Sequence, residues 1–227
     1  MRVYGKNVFN ELDVTKIKKI YLSKNFRDEK IMSFIKSKNL KYILTDMHLM
    51  DKMATNHQGI IVDIHDYSYG TLSDINGDEL VLILDHLEDP HNFGAIIRSS
   101  EARGVKNIII PKDRSVSVNE TVMKTSSGAL ANVNIILVSN LVNTINKLKD
   151  DGYFIYAGEA DGEDYNKVSY ANKKVLVIGS EGNGVSRLVK EASDVIISIP
   201  MKGKINSLNA SVAAGILLFG IGDSNGI

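Results

Sequence analysis

Residues 80–104 read LVLILDHLEDPHNFGAIIRSSEARG, an apolar strand followed by a polar turn and then a helical pattern. Asp89, Pro90 and Asn92 belong to the turn, and Arg98 follows after about one and a half helical turns. This spacing predicts that Asn92 and Arg98 face one site. The spacing leaves open the alternative that Asn92 caps the helix while Arg98 forms an ion pair on the surface.

Five further apolar runs of strand length follow, and helical stretches separate them. The runs are NIIIP (107–111), NIILV (134–138), YFIYA (153–157), KVLVIG (174–179) and VIISIP (195–200). Strands of a parallel sheet are covered on both faces, which is why they consist of continuous apolar residues. Residues 79–227 are therefore predicted to form an α/β domain with a parallel sheet, and such sheets bind ligands beyond the carboxyl ends of their strands.

A glycine-rich turn, GSEGNG, occupies residues 179–184. Glycines at the end of a strand let a ligand approach the backbone closely. The spacing G-x-x-G-x-G differs from the dinucleotide-binding G-x-G-x-x-G and occurs late in the chain, which argues against a nicotinamide-dependent dehydrogenase. A tight turn that needs only positive φ angles is the simpler alternative.

A polar loop and an apolar helix follow the last strand, with the sequence ISIPMKGKINSLNASVAAGILLFGIG at 197–222. Ser207 and Asn209 open the helix, where such residues usually serve as caps. A helix this apolar is expected to be buried, so its polar start is predicted to face a cavity or a subunit interface.

Residues 1–68 alternate strand-like and helical runs and are predicted to form a separate small α/β domain, followed by a polar linker at 69–78. The chain has no net charge, but residues 1–72 hold 12 Lys and Arg against 8 Asp and Glu, whereas residues 73–227 hold 15 against 19. This surplus indicates phosphate contacts on the Lys-rich stretch 16–41, and a merely solvated face is the alternative.

The composition excludes several kinds of site. Cysteine is absent, which rules out disulfides and thiolate metal sites and fits a cytoplasmic protein. No stretch is apolar over the roughly 18 residues that cross a bilayer, and the first residues lack a signal-peptide pattern. His86 and His91 are five residues apart, which is not the spacing of a helical ligand pair, and no third ligand is evident. We expect neither a metal nor a membrane.

Three motifs in order resemble those of the SpoU/TrmH family of RNA ribose methyltransferases, within the SPOUT superfamily. They are D-P-H-N-x-G-x-x-x-R at 89–98, I-G-S-E-G-x-G at 178–184 and I-P-M-x-G-x-x-x-S-L-N-x-S-V-A-A at 199–214. The start of the chain is similar to a small substrate-binding domain with the ribosomal protein L30e fold, through residues 4–12 and His57, Gln58, Gly59 and Ile60. Taken alone, His57 is interpreted as a turn residue.

The resemblance implies methylation of a ribose 2′-hydroxyl in RNA, with S-adenosylmethionine as the donor, and is strongest to enzymes that act on guanosine in 23S rRNA. It implies that the donor binds near Gly179, Ile199 and Leu208. It also implies that the carboxyl-terminal segment is threaded into a deep trefoil knot and that the protein is a homodimer through the knotted domain.

Arg98 is by this resemblance the leading candidate to assist loss of the hydroxyl proton, with Asn92, Glu181, Ser207 and Asn209 shaping the site. Because arginine side chains hold their proton to very high pH, the alternative role is to bind the adjacent phosphate and stabilise the developing alkoxide. Three other functions stay open: a tRNA methyltransferase, an rRNA methyltransferase that confers antibiotic resistance, and an RNA-binding protein of this fold without activity.

Overall fold

The computed structural model describes residues 1–205 and 207–221. The chain divides into two compact units, Met1–Ser68 and a second that begins at Tyr69. Each unit has its own sheet. No helix within the described ranges is long and apolar enough to cross a membrane.

The first unit is built on a four-stranded sheet. Its elements are β1 (Arg2–Tyr4), α1 (Lys6–Glu11), β2 (Ile17–Ser23), α2 (Glu29–Ser37), β3 (Tyr42–Thr45), α3 (Met47–Met53) and β4 (Ile60–Ile64). The strand order is β1-β4-β2-β3, with β2 and β3 parallel and β4 antiparallel to both of its neighbours. Ile31 and Ile35, one turn apart on α2, are both buried, as the helical period predicts.

The second unit is built on a six-stranded parallel sheet. Its elements are β5 (Leu80–Asp85), α4 (Pro90–Ala102), β6 (Asn107–Pro111), α5 (Glu120–Thr125), β7 (Asn134–Val138), α6 (Leu141–Asp150), β8 (Phe154–Asp164), β9 (Lys174–Gly179), α7 (Arg187–Ala192), β10 (Val195–Ser198) and α8 (Ala210–Gly220). The strand order is β10-β8-β9-β5-β6-β7, and each pairing is parallel. The six apolar runs coincide with these strands, so the predicted parallel α/β sheet is confirmed.

The middle strands are buried on both faces, which explains their continuous apolar sequence. Residues 81–84 of β5 and 175–177 of β9 have no exposed surface. Burial of one such aliphatic side chain contributes about 1.5–3 kcal/mol to stability. The centre of the sheet is therefore a rigid base for the loops at its carboxyl edge.

The polar segment after residue 68 lies beside this sheet. Gly70 forms a bridge with Ile136 of β7, and a 3-10 turn covers Leu72–Asp74. The Asn134 side chain leaves no room for a side chain at Gly70. The segment therefore packs as part of the second unit.

Strand β8 is interrupted near its carboxyl end. It pairs with β10 through Ala157 and Ile196, and the pairing resumes between Glu163 and Ile197, so residues 158–162 bulge out of this ladder. Bulges redirect side chains at the ends of strands. This one lies next to the end of β9, the neighbouring strand.

Helix α8 packs against α4 and β9, and two cations hold its carboxyl end. The Arg103 Nε donates to the Leu218 carbonyl at 3.2 Å, and the Lys174 Nζ donates to the Ile221 carbonyl at 3.5 Å. Burial lowers the pKa of Lys174. Cations at this position stabilise the negative end of the helix dipole.

One face of α8 is open, whereas the sequence predicts a buried helix. Leu217 and Leu218 are buried, but Val212 is 49% exposed and Phe219 is 47% exposed. The reason is geometric: α4 and β9 can cover only part of the circumference of a helix that is apolar on all sides.

Candidate active site

Three of the predicted site residues are joined by hydrogen bonds. The Asn92 Nδ2 donates to the Glu181 Oε1 at 2.5 Å, and the Asn209 Nδ2 donates to the Asn92 Oδ1 at 3.0 Å. Asn92 lies at the start of α4, Glu181 in the turn after β9, and Asn209 at the start of α8. The bonds therefore connect three segments that are far apart in the sequence, one from each motif.

Asp89, and not Asn92, caps helix α4. The Asp89 carboxylate accepts the backbone N–H of His91 at 3.0 Å and that of Asn92 at 3.3 Å, and Pro90 occupies the first turn. The alternative in which Asn92 is the cap is therefore wrong. Because Asp89 satisfies the backbone donors, the Asn92 side chain is available to bond Glu181.

Asn209 both caps a helix and belongs to the site. Its Oδ1 accepts the Ser211 backbone N–H at 2.9 Å and the Ser211 hydroxyl at 2.6 Å, which fixes the first turn of α8. Its Nδ2 is left to donate to Asn92. The cap and the functional reading of Asn209 are thus compatible.

Arg98 lies on α4, six residues after Asn92, and is exposed. Within residues 1–205 and 207–221 its guanidinium has no ion-pair or hydrogen-bond partner, so the surface ion pair left open by the sequence is not observed. A guanidinium in this state can bind an external anion through two parallel N–H donors. Arg98 is therefore not part of the hydrogen bonds that join Glu181, Asn92 and Asn209.

A cavity of about 370 Å³ lies beside these bonds. The residues predicted to bind a cofactor, Gly179, Ile199 and Leu208, all line it, as do Glu181 and Ser207. We call it the donor cavity. Its size falls within the range of about 300–1,000 Å³ that is usual for small-molecule sites.

The turn at residues 180–184 forms one wall of the donor cavity. The Ser180 N–H donates to the Gly184 carbonyl at 3.1 Å, and the Gly184 N–H donates to the Ser180 carbonyl at 3.0 Å. Gly184 has a φ of 64°, which favours glycine, and its backbone lies so close to Gly179 that a side chain at Gly179 would not fit. Gly184 therefore supplies the positive φ that the turn needs, and Gly179 leaves room for the backbone of the turn to pack closely against it.

Two carboxylates that the sequence analysis missed bind the backbone just after this turn. The Glu159 Oε1 accepts the Val185 N–H at 2.5 Å, and the Asp85 Oδ2 accepts the Ser186 N–H at 2.6 Å. An acidic residue at the end of an apolar strand is a signal that could have identified Asp85. Glu159 has no such signal, because it lies in the bulge of β8, which the sequence does not reveal.

Lys190 lies near the carboxylates on the β8 side of the donor cavity. Its Nζ is 2.8 Å from the Asp161 Oδ1 and 3.9 Å from the Glu159 Oε2. The hydrogen bond from Lys190 holds the pKa of Asp161 below its ordinary value, and the same bond raises the pKa of Lys190. Two carboxylates thus face one ammonium, which leaves a negative charge that favours a cationic ligand.

The histidines near the site do not form a metal centre. His86 has a φ of 55° and its Nδ1 lies 2.5 Å from the Asp85 Oδ1. His91 is exposed. Across residues 1–205 and 207–221, no group of three or more His, Asp or Glu side chains is placed to hold a metal ion.

In the first unit, His57 is buried and joins two segments. Its Nε2 lies 3.0 Å from the Asp51 Oδ1, and its Nδ1 accepts the Gly59 N–H at 3.0 Å. The interpretation of His57 as a turn residue agrees with these contacts.

Comparison with known families decides what kind of protein carries this site. The SpoU rRNA Methylase family matches residues 79–219, and the family described as RNA 2′-O ribose methyltransferase substrate binding matches residues 2–70. The chain belongs to the SpoU family of RNA methyltransferases. The first match contains all the predicted catalytic residues of this SpoU methyltransferase.

Relatives align with nearly the whole SpoU methyltransferase. It is 40% identical over 231 residues to a Staphylococcus haemolyticus protein named for the TrmH family of tRNA/rRNA methyltransferases, with 96% of this chain and 93% of that protein aligned. The SpoU methyltransferase AviRb from Streptomyces viridochromogenes, solved with S-adenosylmethionine, has a TM-score of 0.85 at 20% identity, covering 98% of this chain and 89% of that chain. An rRNA methyltransferase from Sinorhizobium meliloti, also bound to S-adenosylmethionine, has a TM-score of 0.80 at 23% identity, covering 97% and 85%. These two structures share its fold.

Proposed function

We propose that this chain transfers the methyl group of S-adenosylmethionine to the ribose 2′-hydroxyl of a guanosine in 23S rRNA. The observation that carries the methyl transfer is the hydrogen bond between Glu181, in the wall of the donor cavity, and Asn92, on the helix that bears Arg98. This bond places the cavity next to the start of α4. The proposed donor site and the proposed ribose site therefore adjoin. The choice of a guanosine in 23S rRNA rests on the resemblance of the motifs.

When bound, S-adenosylmethionine supplies an electrophilic methyl group on a sulfonium. We assign its binding to backbone groups at Gly179, Ile199 and Leu208 in the donor cavity. The close packing of Gly179 on Gly184 leaves only backbone on that side, and the Glu159 carboxylate favours a cation. The residues present thus fit this donor.

The chain must hold the ribose oxygen in line with the methyl group and assist loss of its proton. Arg98, which is exposed and has no partner in the described part of the chain, is available to bind the phosphate next to the ribose and to stabilise the developing alkoxide. This role suits a guanidinium better than that of a base, because the group keeps its proton. Asn92 and Asn209 orient the ribose, and Ser207 contributes a hydroxyl at the cavity wall.

Ribosomal RNA is the substrate that the first unit favours. That unit matches a substrate-binding family, and the Sinorhizobium meliloti rRNA methyltransferase aligns across both units. The eight lysines of the stretch 16–41 are all exposed, namely Lys16, Lys18, Lys19, Lys24, Lys30, Lys36, Lys38 and Lys41. We assign them to phosphate contacts, so RNA binding should weaken as salt rises. We further propose that the enzyme acts in the cytoplasm, where its RNA substrate is found.

We further propose that the SpoU domain is knotted and forms a homodimer. Strand β10 lies at the far edge of the sheet beyond β8, and the chain then returns to place α8 against α4 and β9, which supports a threaded path. The half-exposed Val212 and Phe219 on α8 support a partner surface there.

The substrate is tested with transcripts of 23S rRNA, 16S rRNA and tRNA that carry no modification. Each is incubated with enzyme and tritiated S-adenosylmethionine, then digested to nucleosides. We expect 2′-O-methylguanosine from 23S rRNA. Label in tRNA alone would replace rRNA as the substrate, a labelled base would refute ribose methylation, and no label despite donor binding would support the non-catalytic alternative.

A further inference from the structure

The backbone that follows β9 and its turn is hydrogen-bonded by carboxylates from both neighbouring strands. In the sheet β9 lies between β8 and β5, and each neighbour supplies one acid: Glu159 from β8 and Asp85 from β5. They accept the N–H groups of two consecutive residues, Val185 at 2.5 Å and Ser186 at 2.6 Å. We call Asp85 and Glu159 the carboxylate clamp.

The burial of the Asp85 carboxylate is energetically unfavourable for a group that satisfies a single backbone donor. The Asp85 side chain has no exposed surface, and burial of a carboxylate is unfavourable unless hydrogen bonds replace its hydration. The Ser186 N–H and the His86 Nδ1 supply those bonds, and His86 adopts a left-handed φ of 55° beside it. A neutral residue would have ended the strand without this cost, so the charge has a use at this position.

Glu159 reaches the backbone from the bulge of β8. Its carboxylate packs so closely on Gly184 that this glycine has no space for a side chain. It also lines the donor cavity, and Lys190 lies 3.9 Å from its second oxygen. The clamp therefore fixes the two residues that directly follow the turn at 180–184, and Glu159 also packs against Gly184, the last residue of the turn.

We propose that Asp85 and Glu159 are positioning residues that hold the turn at 180–184 in the shape that binds the methyl donor and directs Glu181 toward Asn92. The turn has two backbone bonds of its own, but nothing in those bonds fixes its place relative to β5 and β8. The two charge-assisted hydrogen bonds from Asp85 and Glu159 fix the position of the turn relative to β5 and β8. Such bonds are roughly twice as strong as neutral ones. This inference rests on the proposed function for the identity of the donor.

The clamp is tested first by NMR of the full chain. Amide protons that donate to carboxylates at short distance should resonate downfield, so the Val185 and Ser186 signals should both be shifted. Asp85→Asn should move the Ser186 signal upfield, and Glu159→Gln should move that of Val185. Unchanged amide signals in both variants would overturn the clamp.

A second experiment measures donor binding by calorimetry. It also measures, in methyl transfer, the KM for S-adenosylmethionine and the KM for RNA separately. Each variant should weaken S-adenosylmethionine binding about tenfold, equivalent to about 1.4 kcal/mol, and raise its KM similarly, while the KM for RNA changes less than about twofold. Glu163→Gln is the matched control, because Glu163 is an exposed acid of the same strand β8 that does not line the donor cavity. We expect it to bind the donor as the wild type does.

Folding and function are separated by using both variants. If Asp85→Asn fails to fold, Glu159→Gln, whose side chain is partly exposed, still decides the question. Donor affinity within about twofold of wild type in a folded Glu159→Gln protein would overturn the inference. Failure of the proposed function has a different signature, since the wild type would then transfer no methyl group to RNA.

Discussion

Replacing Asn209 in two ways separates the cap of α8 from the hydrogen bond to Asn92. Asn209→Ala removes the cap on Ser211 together with the bond to Asn92. Loss of such a cap costs about 1 kcal/mol, which for a unit of this size lowers Tm by roughly 2–4 °C. Asn209→Asp keeps an acceptor for the cap and adds a favourable charge at the helix start.

The Asn209→Asp variant should therefore keep its stability and lose activity. The oxygen that replaces Nδ2 would face the Asn92 Oδ1 at about 3.0 Å, where two acceptors repel. A site hydrogen bond left unmade costs about 1–3 kcal/mol. We expect kcat/KM to fall roughly tenfold to hundredfold on that basis.

The assay pairs thermal melting with methyl transfer to unmodified rRNA. Asn140→Ala is the control, because Asn140 caps α6 through the Asn143 N–H at 2.9 Å and lies outside the site. It should lose stability as Asn209→Ala does and keep its activity. The reasoning is refuted if Asn209→Asp transfers methyl groups at the wild-type rate, or if Asn140→Ala loses as much activity as Asn209→Ala.

Three further predictions concern packing, acidity and assembly. Gly94→Ala should destabilise the second unit by about 2 kcal/mol in denaturant melts, because Thr125 of α5 occupies the space of the added methyl group; an unchanged midpoint would contradict this. The hydrogen bond from Arg2 lowers the pKa of Asp63, so its stabilisation is complete above the unfolded value of about 3.9 and is lost as the pH falls through the folded pKa. The protection of β4 amides against hydrogen exchange, relative to the intrinsic exchange rate at each pH, should thus fall more below about pH 4 in wild type than in Asp63→Asn, with an effect under about 1 kcal/mol, and an equal loss of protection would argue against the pair. For the proposed homodimer, Phe219→Lys should shift the sedimentation coefficient toward that of a monomer, whereas an unchanged coefficient would exclude α8 from the proposed interface.

The parallel sheet could be predicted because its physics is visible in the sequence. Strands covered on both faces must be apolar at every position, so LVLILD and KVLVIG identify β5 and β9 directly. The same reasoning does not predict which apolar residues are exposed on an edge strand. The sequence YILT forms β3, yet Leu44 of this strand is 57% exposed. Apolar composition alone does not say which strand lies at the edge.

The site could be predicted only where each residue belonged to a local pattern. Asp89 and Asn92 are both suitable caps three residues apart, and the choice of Asp89 is settled by the helix starting at Pro90. Glu159 and Asp85 bind residues 26 and 101 positions away. Such contacts depend on the strand order, which the sequence does not state.

The most direct test of the proposed function compares Arg98→Ala with wild type in methyl transfer to unmodified 23S rRNA, with donor binding measured in parallel. Lys106→Ala is the control, because Lys106 is exposed just before the start of β6, away from the carboxyl edge of the sheet. We expect 2′-O-methylguanosine to form about 10²–10³ times more slowly in Arg98→Ala, with donor affinity unchanged and the control fully active. Methyl transfer by Arg98→Ala at the wild-type rate would contradict the assignment of the site.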